Sequence, residues 1–74
     1  MDQHTSPIMR HFDSGHLRPG PLMDCFEQFA GLAAELDADL PAGPEKTTAL
    51  RKLLEAKDCA MRATVEQIDR QYGD

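Results

Sequence analysis

The sequence has no long apolar run and only two cysteines among its 74 residues. No stretch approaches the about 20 apolar residues of a membrane span, and no apolar segment typical of a secretory signal follows Met1. We therefore expect a cytosolic protein, in which thiols stay reduced. Cys25 and Cys59 are predicted to be unpaired and largely buried. The alternative is one disulfide between two helices.

Basic residues are also scarce, since 8 Lys and Arg stand against 13 Asp and Glu, for a net charge of −5. A protein that binds DNA or RNA needs a basic surface, so such polymers are not expected as partners. Residues 19–45 contain acids and no Lys or Arg, whereas residues 46–62 contain most of the bases. Two halves of opposite charge favour an antiparallel hairpin, and ordinary solvated faces are the alternative.

Motifs for catalysis or metal binding are absent as well. The sequence has no glycine-rich phosphate loop, no nucleophile elbow and no metal-ligand spacing. His11 and His16 flank Asp13, but ligands on an irregular arm without a second anchored pair make a weak metal site. We expect a protein that is not an enzyme and has no catalytic residue, resident metal or cofactor.

Proline and glycine divide the chain into an arm and two helices. We predict an all-α fold, in which residues 1–20 form an irregular N-terminal arm with a disordered start and residues 21–74 form an antiparallel helical hairpin. Pro21 suits a first helical turn, and Pro41 ends the first helix at about residue 40. Gly43 and Pro44 start a second helix of about residues 45–71, and the short linker places the helices antiparallel.

One lysine interrupts the apolar stripe of the second helix. At about 100° per residue, Lys57 falls in the middle of a stripe formed by Leu50, Leu53, Leu54, Met61, Thr64 and Ile68. A buried ammonium group without a partner costs several kcal/mol, so Lys57 must reach water, a ligand phosphate or a protein anion. Because the first helix is acidic, we favour a structural Lys57, paired with Asp24, Glu27 or a carbonyl of the arm.

A second stripe on the same helix consists of small residues, namely Ala49, Ala56, Ala60 and Ala63. The second helix is also predicted to be longer than the first, and a hairpin of two helices cannot cover both stripes. Small residues allow helices to approach closely, so we expect a homo-oligomer, from a dimer to a hexamer. The alternative is an exposed alanine face that reflects helix propensity alone.

Basic and hydroxyl side chains of the second helix form a candidate anion site. Arg51 and Arg62 lie about 20° apart around the helix and about three turns apart along it. Lys46 and Thr47 lie on its first turn, where free backbone N–H groups and the helix dipole attract phosphates. The alternative is that the two arginines pair with Glu55 and Asp58 on the surface. The whole candidate set is Lys46, Thr47, Thr48, Arg51, Lys57 and Arg62.

Residues 45–63 read EKTTALRKLLEAKDCAMRA. This segment resembles the C-terminal helix of a family of small phage proteins, the helical-hairpin anti-CBASS and anti-Thoeris sponges. Phe12, His16 and residues 29–33 also fit, so the resemblance covers about residues 10–66. It implies an oligomer without enzymatic activity, which sequesters cyclic oligonucleotides or cyclic ADP-ribose in pockets between its subunits.

The resemblance also implies roles for single residues. Arg62 matches an arginine that contacts cyclic trinucleotides, and Thr47 and Thr48 lie in the helix start that helps line such pockets. The sequence departs from the family at two points, because it lacks the tyrosine that relatives carry between Phe12 and His16 and a lysine in the first helix. Both departures concern the pocket for cyclic dinucleotides. His16 is the candidate for stacking on a base in place of the tyrosine.

These observations lead to two functional hypotheses. The first is a phage sponge in the cytoplasm of the bacterial host that binds a cyclic di- or trinucleotide or cyclic ADP-ribose and so blocks anti-phage defence. The second is a helical-hairpin module that oligomerises or docks on a protein partner without a small-molecule ligand. Neither hypothesis involves a membrane. The predicted ligand-binding residues are Arg62, Arg51, Lys46, Thr47, Thr48, His16, Phe12 and Lys57.

Overall fold

The computed structural model describes residues 7–13, 15 and 17–72, and within them the fold is all-α, as predicted. A short 3₁₀ helix spans Pro7–Phe12, helix α1 spans Pro21–Asp39, and helix α2 spans Pro44–Tyr72. The molecule is elongated, with principal extents of 52 × 22 × 15 Å. No helix in the described part of the chain is long and apolar enough to cross a membrane.

Both α-helices begin with the same dipeptide, Gly-Pro. Gly20 and Gly43 precede the helices with φ of 147° and 154°, a region that glycine adopts with little strain. The proline that follows each glycine has a φ suited to a helix and lacks an N–H that would be unpaired there. The start of α1 at Pro21 agrees with the prediction, and its end at Asp39 and the start of α2 at Pro44 each lie within one residue of the predicted bounds.

The arm is more regular than the sequence predicted. Residues Pro7–Phe12 form a 3₁₀ helix that packs against both α-helices instead of an irregular segment. Apolar contacts explain this order, because Ile8, Met9 and Leu17 pack against the core and Phe12 is only 6% exposed. The disorder expected at the start of the arm concerns residues outside the described part of the chain.

The hydrophobic core is small and lies where the 3₁₀ helix meets the hairpin. Its buried members are Phe12, Phe26, Ala33 and Leu50, one or two from each helix. The predicted stripe of α2 supplies further contacts, since Leu53, Leu54 and Met61 pack against this cluster. Ala33 in α1 lets Leu50 become fully buried, because a small side chain allows close approach of the two helices.

Two cross-helix contacts establish the antiparallel register. Lys46 of α2 lies against Asp37 of α1, and Lys57 of α2 lies over the ring of Phe26 of α1. The second contact is eleven residues later in α2 and eleven residues earlier in α1, as an antiparallel pair requires. The same register places Pro21 beside about residue 62. About ten residues of α2, roughly 15 Å of helix, therefore extend beyond the start of α1.

The cysteines are free, as expected, but one prediction about them is wrong. Cys25 is half-buried in α1, whereas Cys59 is exposed on α2. Cys59 lies about 180° around α2 from the fully buried Leu50, so it faces away from α1. Its place on the helix, rather than the apolar character of a thiol, determines its exposure.

Candidate functional site

A pocket of about 430 Å³ lies at the turn of the hairpin and is partly open to solvent. The start of α2 forms one wall, and the first residues of the 3₁₀ helix form another. This arrangement brings together three of the residues that the sequence singled out, Lys46, Thr47 and Arg51. The complete lining is Pro7, Ile8, Ala42, Gly43, Lys46, Thr47 and Arg51.

The first turn of α2 presents backbone donors beside this pocket. The N–H of Thr47 makes the first bond of the helix, to the carbonyl of Gly43 at 3.1 Å. The amide hydrogens of Glu45 and Lys46 therefore precede the helical ladder, and Gly43 has no side chain that could cap them. The hydroxyl of Thr47 donates to the same Gly43 carbonyl at 3.2 Å, so its hydrogen is used within the helix.

Lys46 is held by the end of α1. Its ammonium donates to the backbone carbonyl of Asp37 at 2.7 Å and lies 3.2 Å from the carboxylate of the same residue. Both side chains are well buried, at 10% and 11% exposure. A cation is favourable at the negative C-terminal end of a helix. Lys46 thus contributes its stem to the pocket wall, while its charge is neutralised by Asp37.

Arg51 is the remaining cation of the pocket. It is exposed one turn after Thr47, and among the described residues the structure gives it no hydrogen bond or ion pair. The surface pair between Arg51 and Glu55, which was the alternative expectation, is not formed. A guanidinium offers five N–H donors in a planar fork, so Arg51 presents unused donors at the mouth of the pocket.

Arg62 lies outside the pocket. It is eleven residues beyond Arg51, or about 16 Å along the helix, and its guanidinium donates to the Cys59 sulfur at 3.2 Å. The expected alternative partner, Asp58, instead pairs with Lys57. A single copy of the chain therefore does not bring Arg51 and Arg62 to one small ligand.

Lys57 has a structural environment between the helices. Its ammonium lies 2.7 Å from the carboxylate of the neighbouring Asp58 and 5.3 Å from the centre of the Phe26 ring. The side chain of Lys57 is 13% exposed, so its stem is packed and its head is paired. The partner expected across the hairpin, Asp24, Glu27 or a carbonyl of the arm, was wrong, because Asp58 on the same helix is closer.

The other predicted ligand-binding residues are dispersed. Thr48 is exposed at the beginning of the second turn of α2 and does not line the pocket. Phe12 belongs to the core, so its ring is occupied by protein contacts rather than open to a base. His16 lies outside the described residues.

Sequence reasoning missed the apolar side of the pocket. Pro7 and Ile8 reach the start of α2 because the arm folds back along the hairpin, and no local pattern specifies that path. Gly43 was recognised as a helix start but not as a lining residue. Asp37 was counted among the acids of the first half, and only the register of the hairpin identifies it as the partner of Lys46.

Comparisons with known proteins identified no relative of this chain. No family model matches the chain, and searches of curated proteins and of solved structures found no match. The similarity of residues 45–63 to phage sponges therefore stays a prediction. Within residues 7–13, 15 and 17–72, no group of three or more His, Cys, Asp or Glu is placed to hold a metal ion.

Proposed function

We propose that this protein is a non-enzymatic sponge that binds a cyclic nucleotide signal at the turn of its hairpin. The observation that carries the proposal is the pocket in which Arg51 and the start of α2, both without a side-chain partner among the described residues, meet an apolar wall. The first two features suit a phosphate, and a nucleobase or ribose can pack on the third. The resemblance to phage proteins that sequester such signals supports the same ligand class.

The phosphate contacts come from α2. Arg51 offers a bidentate fork to a phosphate diester, and the free N–H groups of Glu45 and Lys46 lie at the positive end of the helix dipole. Since Asp37 neutralises Lys46, the charge that recognises the ligand is that of Arg51. One guanidinium balances the single negative charge of one phosphate diester, so the other phosphates of a cyclic di- or trinucleotide would be contacted by arginines of other copies.

The apolar wall supports the rest of the ligand. Pro7, Ile8 and Ala42 provide a surface without charge in the same pocket as Arg51. The volume of about 430 Å³ is within the range of about 300–1,000 Å³ for small-molecule sites. Binding without chemistry is sufficient for sequestration, so the proposed role needs no acid, base or nucleophile.

Arg62 enters the proposal through a neighbouring copy. Because Arg62 is about 16 Å from Arg51 within one chain, a shared ligand would be contacted by the two arginines of different subunits. The proposed setting is the cytoplasm of a bacterial host, where a phage protein keeps a cyclic di- or trinucleotide or cyclic ADP-ribose from its receptor. Oligomers larger than a dimer belong to the same proposal.

The test is titration of the whole protein with a panel of cyclic dinucleotides, cyclic trinucleotides and cyclic ADP-ribose isomers. Calorimetry and thermal shift should detect at least one ligand at protein concentrations that support self-association. Arg51→Ala should weaken binding by about 10- to 150-fold, the equivalent of one charge-assisted hydrogen-bond set of about 1.5–3 kcal/mol. Lys52→Ala is the matched control, because Lys52 is exposed on the same helix and does not line the pocket.

Two results would contradict the proposal: no response to any ligand of the panel, or full binding by the Arg51 variant. Arg62→Ala adds a separate test, and it should weaken trinucleotide binding while light scattering gives an unchanged mass. If that variant instead becomes a monomer, Arg62 is a structural residue of the assembly.

A second candidate function is a protein-interaction module. The observation that favours it is the exposure of two large apolar side chains, Leu32 at 45% and Val65 at 44%. Affinity capture from infected cells, followed by ligand titration of the purified protein, separates the two functions. The interaction module is favoured if one protein is captured in stoichiometric amount and no cyclic nucleotide of the panel binds.

A further inference from the structure

The turn pocket contains two cations but little more than one net positive charge. Lys46 and Arg51 both line it, and no acid among the described residues does. Behind the wall, the Lys46 ammonium lies 3.2 Å from the Asp37 carboxylate, and the two side chains are only 10% and 11% exposed. A carboxylate this well buried and this close to a lining residue contributes to the electrostatic potential of the pocket. The net charge that a ligand meets is therefore close to that of Arg51 alone.

The position of the Lys46 ammonium does not depend on the carboxylate alone. The ammonium also donates to the backbone carbonyl of Asp37 at 2.7 Å, near the C-terminal end of α1. Because a helix has its negative pole at that end, this side of the pocket disfavours additional negative charge. A ligand anion that took Lys46 as its partner would have to break both contacts with Asp37. Lys46 is thus held in the wall and withheld from the ligand.

Phosphate groups differ in charge according to their number of ester bonds. A diester carries one negative charge at neutral pH, whereas a terminal monoester carries about 1.5–2 because its second pKa is about 6. The planar fork of Arg51 balances the single charge of a diester. The second charge of a monoester would enter a partly enclosed pocket without a partner of its own, and desolvation of an unpaired charge is costly.

We propose that Asp37 is a specificity-determining residue, which sets the charge of the turn pocket so that the pocket accepts phosphodiesters and rejects phosphomonoesters. A cyclic nucleotide, cyclic ADP-ribose included, contains only phosphates with one negative charge each, whereas a linear nucleotide such as 5′-AMP ends in a monoester. Asp37 acts through Lys46 rather than by touching the ligand. This role rests on the phosphate site proposed for the turn, and it separates a cyclic signal from linear nucleotides and hydrolysis products that end in a monoester.

Two other acids near the turn are placed differently. Asp39 ends α1 and Glu45 lies on the first turn of α2, and both are exposed and outside the pocket lining. Solvent and salt screen such charges, with a Debye length of about 8 Å at physiological ionic strength. Asp37 differs from both in its burial and in its contact with a lining cation. Asp39 therefore provides a matched control for the removal of one acid from the end of α1.

Two nucleotides with the same base and a single phosphate test the proposal. The probes are 3′,5′-cyclic AMP, which is a diester, and 5′-AMP, which is a monoester. Because each has one phosphate, arginines of other copies are not required. NMR titration of the whole chain follows the amide signals of Thr47 and Arg51 and gives both dissociation constants, even for weak binding. At neutral pH the wild type should bind cyclic AMP at least about fivefold more tightly than 5′-AMP.

Asp37→Asn removes the carboxylate charge but keeps the backbone carbonyl that holds Lys46. Since Coulomb energy scales with the charge of the ligand, the monoester should gain more than the diester, and the preference for cyclic AMP should fall by about 5- to 20-fold. Asp39→Asn should change this preference by less than about twofold. Adding Lys46→Met to Asp37→Asn removes both charges of the pair, and the preference should return to within about twofold of the wild type. A purely structural Asp37 would give no such recovery.

A second variant reaches the same pocket charge without disturbing the pair of Lys46 and Asp37. Ala42 is exposed and lines the pocket, so Ala42→Lys adds an unpaired cation there. It should also lower the preference for cyclic AMP, and it keeps the test valid if Asp37→Asn does not fold. An unchanged preference in this variant would overturn selection by charge.

The outcomes separate this role from the ligand site itself. If both nucleotides bind but the wild type and Asp37→Asn show the same preference, the role of Asp37 is overturned and the phosphate site remains. Tighter binding of 5′-AMP than of cyclic AMP by the wild type would overturn the role as well. If neither nucleotide shifts the amide signals of Thr47 and Arg51, the turn binds no phosphate, and the proposed function fails together with the specificity role.

Discussion

The contact between Lys46 and Asp37 should be a main determinant of stability. We consider Lys46→Met, which keeps much of the apolar stem but removes the ammonium. The change removes the ammonium that lies 3.2 Å from the Asp37 carboxylate, and with it the 2.7 Å bond to the carbonyl of Asp37. It also removes a positive charge from the negative end of α1.

The expected loss in the free energy of unfolding lies between the values known for buried and for exposed ion pairs. Breaking a fully buried pair costs about 3–5 kcal/mol, and an exposed pair contributes about 0–1 kcal/mol. Since both side chains are about one-tenth exposed, we expect a loss of about 2–4 kcal/mol in the free energy of unfolding. A domain of this length has about 4–11 kcal/mol in total, so the loss would lower Tm by roughly 10–25 °C.

Urea denaturation followed by circular dichroism measures this loss. Lys52→Met is the control, because it removes an exposed lysine of the same helix and should change stability by less than about 0.5 kcal/mol. Lys46→Met, Asp37→Leu and the double variant form a double-mutant cycle, in which the two single losses should sum to more than the loss of the double variant because each single change removes the same contact. If Lys46→Met is as stable as the wild type, or if the two single losses simply add, the contact does not have the role described.

Two further predictions concern single positions. Lys57→Met should keep ligand binding and keep or raise stability, because the lysine lies over the Phe26 ring and an apolar side chain of similar length fits there; loss of ligand binding measured by calorimetry would refute this. Gly43→Ala should lower stability by about 1 kcal/mol because its φ is 154°, whereas Gly31→Ala in the exposed middle of α1 should raise it by about 0.5–1 kcal/mol. Equal melting temperatures of the two alanine variants would contradict the account of helix starts.

Local signals made the helices predictable. Each start depends on a Gly-Pro pair, and α1 ends where Pro41 follows, so neighbours in sequence determine these boundaries. The stripe from Leu50 to Met61 is also local, because the helical repeat alone aligns it. The pair of Lys46 with Asp37 needs the register of two helices, which no local pattern gives. Cys59 is an intermediate case, since its angle from Leu50 on the helix already indicates exposure, although its residue type suggests burial.

The candidate site, like the fold, was predictable only where it depends on local sequence. Arg51 and Thr47 were identified because a helix start and a following arginine are both local features. The wall formed by Pro7 and Ile8 depends on the arm folding back over the turn, which is a tertiary event. Phe12 shows the converse, because it was predicted to bind the ligand and the fold buries it in the core.

The structure separates the cations of α2 by their place on the helix. Lys46 and Lys57 lie near the helix interface, and each is held by an aspartate and largely buried. The other four cations are exposed and have no carboxylate partner among the described residues, namely Arg51, Lys52, Arg62 and Arg70. Of these four, only Arg51 lines the pocket. The positive charge that remains for an anionic ligand at the turn is therefore that of the Arg51 guanidinium, which keeps its charge and its planar fork in such a position, although the chain as a whole is acidic.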